Sequence, residues 1–185
     1  VSRLEKMHIQ SEVEQLKEQV NPQLLFNILD KTGRLANTEP EESSRMLFKL
    51  SQLLRYQLYD CSRSTVLLDA EIRFLGNYLS LEQIYSRQFE YRISSEGEVR
   101  RVFIPPLLFI PFVQWCVMQI YKGNQQDFKA DKKQVEFVCE HDRETIPGEG
   151  DLSRIKQRLA FLYKTDYSLA LAENSIHLTL KQPES

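Results

Sequence analysis

The sequence predicts an α+β protein, with helices in its first half and a small mixed sheet carrying helices in its second. Two patterns carry that expectation. Apolar residues in the first half recur at spacings of three and four, the period of an α-helix, as in Ile9, Val13, Leu16 and Val20. From about Phe89 they alternate instead, as in Phe89, Tyr91 and Ile93 and again in Val135, Phe137 and Cys139, the period of a strand. We place the boundary between residues 87 and 88, giving an N-terminal helical region, 1–87, and a mixed domain, 88–185.

Taken in order, residues 1–37 read as helix. The seam Ile9, Val13, Leu16 and Val20 has coiled-coil spacing, with Glu12, Glu14, Lys17 and Glu18 on the other faces. Pro22 lacks a donor N–H and predicts a kink or a join. Asn37 to Glu42 is a turn that restarts a helix at Pro40, with Glu41 and Glu42 in the first turn. That helix runs to about Asp60 on a stripe of Met46, Leu47, Leu50, Leu53, Leu54 and Leu58. After a break at Cys61 to Leu68, a third helix, about Asp69 to Ser86, presents Ile72, Leu75, Leu79 and Ile84.

In the second half, the strand at Phe89 to Ile93 is expected to end in a turn at Ser94 to Gly97. Pro105 and Pro106 precede an apolar helix from Leu107 to about Tyr121. Val135 to Cys139 is a strand, Leu152 to Tyr163 a helix, and Ser168–Leu171 with Ile176–Leu180 a closing hairpin around Glu173 and Asn174.

Composition excludes several classes. Of 185 residues 42% are apolar and 27% charged, which argues against disorder. The net charge of −2 is spread along the chain, so no basic face for nucleic acid is expected. Cys61, Cys116 and Cys139 form no CxxC pair, which favours a reducing compartment over a zinc site. The most apolar run, Val102 to Val117, is short and contains three prolines, so no membrane span is expected. The opening at Val1, inside a helical pattern, reads as a segment of a longer protein.

A family resemblance follows from six motifs in order. Gln19-Val20-Asn21-Pro22-Gln23-Leu24-Leu25-Phe26-Asn27 resembles the phospho-acceptor box Q-I-N-P-H-F-L-F-N of LytS-type sensor histidine kinases. Leu53-Leu54-Arg55-Tyr56 resembles L-L-R-Y, Leu67 with Glu71 resembles L-x-x-x-E, and Tyr78 to Glu82 resembles Y-L-x-I-E. Pro105-Pro106-Leu107-Leu108 with Pro111-Phe112-Val113 resembles P-P-L-L-L-Q-P-L-V, and Arg158-Leu159 with Leu162-Tyr163 resembles R-L-x-x-L-Y. The resemblance implies a helical hairpin that forms a four-helix bundle in a dimer, followed by a GHKL ATPase-like α/β sandwich using ATP and Mg2+.

The chain departs from the family where that chemistry is done. Gln23 stands at the acceptor histidine, and an amide nitrogen whose lone pair is delocalised is no nucleophile. Gln114 stands at the basic glutamate and Trp115 at the metal-ligating asparagine, yet Mg2+ demands oxygen ligands. The adenine box has no counterpart beyond His141 and Asp142. The phosphate box reads Glu149, Gly150, Asp151, Leu152, Ser153 and Arg154, which puts acids toward the triphosphate, and the lid, about Arg143 to Gly150, is short. The resemblance therefore implies a pseudokinase with no cofactor, in the cytoplasmic portion of a bacterial inner-membrane sensor. Its expected partners are a second copy and a LytTR-type response regulator or an active paralogous kinase, with neither nucleic acid nor membrane contacted by this segment. The alternatives are an active kinase with unconventional ATP binding and acceptor, or a purely structural dimeriser.

Overall fold

Proline marks where a helix begins. The computed structural model describes residues 2–8, 22–85, 90–119 and 123–183. After a short helix α1 over residues 3–8 come α2 (Pro22–Leu35) and α3 (Pro40–Leu58), and α3 starts on a proline, because the first turn leaves its N–H groups without helical partners and proline has none. The residues before Pro22 that a kink or join would involve, and the seam Ile9, Val13, Leu16 and Val20, lie outside the described residues. α2 buries Leu24, Ile28 and Thr32, one turn apart. Ser43 Oγ donates to the Thr32 carbonyl at 3.0 Å and staples α2 to α3.

The expected stripe on α3 splits in two. Met46, Leu50, Leu53 and Tyr56 are buried, whereas Leu47 and Leu58 stay exposed. One helix face meets the rest of this chain, and the neighbouring apolar stripe does not. Strand β1 (Val66–Leu67) pairs with β3 (Phe103–Ile104) and leads into α4 (Leu68–Tyr85). α4 buries Leu68, Glu71, Phe74, Leu75, Tyr78 and Leu79, while Ile72 and Ile84 are half-buried.

The second half forms a five-stranded sheet. Its strands are β2 (Glu90–Gly97), β4 (Gly123–Ala130), β5 (Gln134–His141), β7 (Ser175–Lys181) and β6 (Tyr167–Leu171), in that spatial order. β2 and β4 are parallel, joined by a crossover that contains α5 (Ile110–Gln119), and the remaining pairs are antiparallel. Helix α6 (Ser153–Tyr163) precedes the closing hairpin. The α+β order read from the sequence holds. Two local expectations do not. Ser94 to Gly97 is strand, not turn, because it pairs in register with Asp127 to Ala130. Gly97, at φ 86°, ends it where an added Cβ would lie 2.1 Å from the Ala130 carbonyl oxygen. β4 was also missed, since its sequence is mostly polar and only Gln126, Phe128 and Ala130 are buried.

One face of the sheet carries the core. Phe137 stacks with Phe109 and Phe128 at ring-centroid distances of 4.9 and 5.0 Å, and Phe112 joins at 6.1 Å. Such pairs contribute about 0.5–1.5 kcal/mol beyond their buried area. Among the described residues no helix is long and apolar enough to cross a membrane.

A polar hub lies inside this apolar packing. Glu71 is fully buried, and its Oε1 accepts from the Tyr56 hydroxyl at 2.6 Å and the Leu107 N–H at 2.7 Å. Arg158, 1% exposed, donates to the Leu107 carbonyl at 3.1 Å. Leu107 has φ 61°, a conformation that costs a residue with a Cβ about 1–3 kcal/mol, and both of its backbone polar groups are held. Burial pushes the Glu71 carboxyl up to about 7, against the opposing pull of Tyr56, Leu107 and the Arg158 cation.

The folded state therefore holds a proton on Glu71 that the unfolded chain releases from about pH 4.5 upward. Stability should fall as pH rises between those two values, by up to about 1.4 kcal/mol per unit. Glu82, also raised by burial, acts in the same direction. Urea unfolding at several pH values tests this: Glu71→Gln should flatten the slope relative to the parent, and an unchanged slope would refute the assignment.

Candidate functional site

Helix α5 and strand β5 meet at the positions singled out in the sequence. The register of β5 puts Val135, Phe137, Cys139 and His141 on the inner face of the sheet, under α5. Phe112, Val113 and Cys116 of α5 are buried against it, and Trp115 follows them inward until it is only 3% exposed. The Trp115 ring meets His141 edge-on at 5.4 Å. Its Nε1–H points at Asp151 Oδ2, 3.4 Å away, and the same oxygen accepts the Gly148 N–H at 2.7 Å. Three candidate residues, Trp115, His141 and Asp151, thus form one cluster.

The others lie around it or apart. Gln114 is half-buried beside Trp115. Asp142 is exposed at the strand end and accepts the Gly123 N–H at 3.2 Å. Glu149, Gly150 and Arg154 are exposed. A Cβ added at Gly150 meets nothing within 4 Å, so no close backbone approach requires glycine there. The segment after β5 is tied to the closing hairpin, with the His141 N–H donating to Asn174 and the Thr145 N–H to Glu173, at 2.9 and 2.8 Å. Gln23 is not in the cluster. It is exposed on α2, where its Nε2 donates to Asn27 Oδ1 at 3.0 Å.

Burial lowers the His141 pKa, against the raising influence of the Arg143 backbone and Asp142, so the ring favours its neutral form. A cavity of about 540 Å³ opens at this end of the sheet, with Glu90, Glu140 and Asp142 set against the single cation Arg92. A triphosphate would meet more like charge than opposite charge there. Trp115 offers an N–H and no acceptor, and the Asp151 oxygen facing it already takes a backbone N–H. This donor set does not fit a magnesium nucleotide.

Sequence reading missed two features of the site. Cys116 and Cys139, read as scattered, bring their sulfur atoms together across the α5–β5 interface, with Cα atoms 7.4 Å apart. Gln126 of β4 is fully buried opposite Cys139, and its amide reaches no hydrogen-bond partner among the described residues. Neither carries a local signal, because the first arises from packing of α5 on the sheet and the second from cross-strand register.

Trp115 is the only tryptophan, so its packing can be followed by fluorescence. Trp115→Ala should destabilise the fold by about 3–5 kcal/mol. Asp151→Ala, which removes only the acceptor, should cost about 1 kcal/mol and alter the Trp115 emission. Equal costs for the two variants would contradict this division.

Comparison with known proteins finds the following likenesses. A family model described as histidine kinase matches residues 11–89. The sensor histidine kinase/phosphatase LytS of Staphylococcus aureus strain MRSA252 is 28% identical over 151 residues, which is 80% of this chain and 26% of the relative. The chain thus spans about a quarter of the length of such relatives. Among solved structures, the catalytic domain of histidine kinase ThkA is 13% identical with a TM-score of 0.49, over 64% of this chain and 94% of that one. Histidine kinase ThkA in complex with response regulator protein TrrA is 10% identical with a TM-score of 0.47, over 87% of this chain and 59% of that one. With the family match over residues 11–89, the LytS identity and the shared order of its motifs, the chain is similar to LytS-type sensor histidine kinases.

Proposed function

We propose that this chain is the cytoplasmic kinase-like module of a membrane-anchored bacterial sensor, and that it passes a signal through dimeric helices without phosphoryl transfer. The observation that carries this reading is Trp115, buried over His141 with its N–H on Asp151, at the position resembling the metal-ligating asparagine of the family. Phosphoryl transfer is mostly positioning and charge neutralisation. Acceptor, base and metal ligand are here Gln23, Gln114 and Trp115, and none has the required chemistry. Residues 1–87 serve dimerisation in this reading, and 88–185 form an ATPase-like sandwich kept for its shape.

The dimer reading rests on apolar side chains that this chain leaves uncovered. Phe26 and Leu29 on α2, and Leu47, Phe48 and Leu58 on α3, are exposed, with Phe26 at 66% and Leu58 at 67%. Leu47, Leu54 and Leu58 recur at spacings of seven and four along one helix stripe. A second copy related by two-fold symmetry would cover both helices and make a four-helix bundle. A LytTR-type response regulator or an active paralogous kinase is the proposed downstream partner.

Three experiments test this. Phe48→Asp with Leu58→Asp should turn a dimer into a monomer in sedimentation without loss of helix content, and a parent chain already monomeric at about 50 μM would sink the bundle. Millimolar Mg–ATP should not shift the melting midpoint, whereas ligand at a hundredfold excess over its Kd would add about 2.7 kcal/mol. Gln23→His alone should gain no phosphate from labelled ATP. A magnesium-dependent shift, or label on that variant, would return the chain to the working kinases.

A further inference from the structure

The end of the sheet opposite Trp115 carries a second cavity. It lies where β3, the C-terminal end of α6 and the end of β7 come together, seven residues along β5 from His141. Its volume of about 640 Å³ falls in the range of about 300–1,000 Å³ typical of small-molecule sites. Val102, Phe103, Leu162 and Tyr163 form its apolar wall, and Phe103 is 57% exposed.

The polar groups around this wall are mostly donors. Arg101, Lys132, Lys164 and Lys181 line it against two carboxylates, Glu98 and Asp166. None of those four cations closes an ion pair among the described residues. Gln182 adds an amide whose buried Nε2 has no acceptor among the described residues. A donor left without an acceptor in a buried setting is what an incoming oxygen would satisfy.

We propose that this cavity binds a small organic monoanion, an apolar ring or chain ending in a carboxylate. The apolar body would cover Phe103 and Tyr163, and the carboxylate would take the Gln182 amide and the lysine ends. Four cations against Glu98 and Asp166 leave the lining net positive, which favours an anionic end over a neutral one. Thr65, directly before β1, also lines the cavity. An occupant therefore touches both the β1–β3 ribbon that leaves the helical region and the end of the sheet where α6 and β7 meet.

Titrating the isotopically labelled chain with 2-naphthoate tests this by NMR. Expected are saturable shifts at Phe103, Tyr163 and the Gln182 side-chain amide below about 1 mM, with the uncharged 2-naphthalenemethanol at least about tenfold weaker. Lys164→Glu with Lys181→Glu should weaken naphthoate about tenfold at an unchanged melting midpoint. Should that variant lose its fold, raised salt on the parent chain gives the second reading, since screening should weaken naphthoate and leave the alcohol unaffected. Absence of saturation, equal affinity for acid and alcohol, or shifts confined to other surfaces would each overturn the proposal.

Discussion

Glu71 is a carboxyl group in an apolar wall; two distant parts of the chain donate to its Oε1, and a third holds one of those donors in place. Tyr56 reaches it from α3 and Leu107 from the loop before α5, and Arg158 on α6 holds the other side of Leu107. A buried carboxylate without donors would cost far more than any single hydrogen bond contributes. The helical hairpin and the sheet domain are therefore held in one relative placement, and they cannot slide past one another without stranding that group. The strained φ of Leu107 persists for the same reason: both its N–H and its carbonyl are fastened at once.

That loop also sets where α5 begins, and α5 decides what happens at the candidate site. Once Phe109 and Phe112 are seated on Phe137, the helix rotation carries Cys116 toward Cys139 and brings Trp115 over His141. The cluster at this end of the sheet is thus an extension of the hydrophobic core, with Asp151 brought in to meet the one polar atom of the indole. Where the resemblance would place a metal ligand, the chain has an aromatic anchor. A fold can keep its packing when its chemistry goes, because packing depends on volume and rotamer whereas phosphoryl transfer depends on a few oxygens and charges at fixed points.

The two ends of the sheet then differ in kind. At the Trp115 end the cavity is lined by three carboxylates and one arginine. At the other end four cations outnumber two carboxylates around an apolar wall, beside an amide without an acceptor among the described residues. This opposition is a property of strand ends, since each turn presents its own side chains to one end only, and a net charge of −2 hides it. The exposed apolar stripe of α2 and α3 lies on the helical hairpin, so dimerisation and ligand binding can occupy separate parts of the molecule.

Local sterics made much of the fold legible in the sequence. Pro40 starts a helix because its missing N–H costs nothing there, and the hairpin around Glu173 and Asn174 followed from alternation on either side of a polar pair. The six motifs also named Tyr56, Glu71, Leu107 and Arg158, though not their meeting. What local pattern could not supply was anything depending on a partner far along the chain. β4 is polar by composition and becomes a strand because β2 and β5 flank it. Ser94 to Gly97 reads as a turn and is held extended by Asp127 to Ala130. Trp115 could be named as a departure from the family, but its burial and its bond to Asp151 come from contacts 36 residues away. Periodicity and capping are encoded by near neighbours, whereas register, burial and the company a polar group keeps are decided only when the layers close.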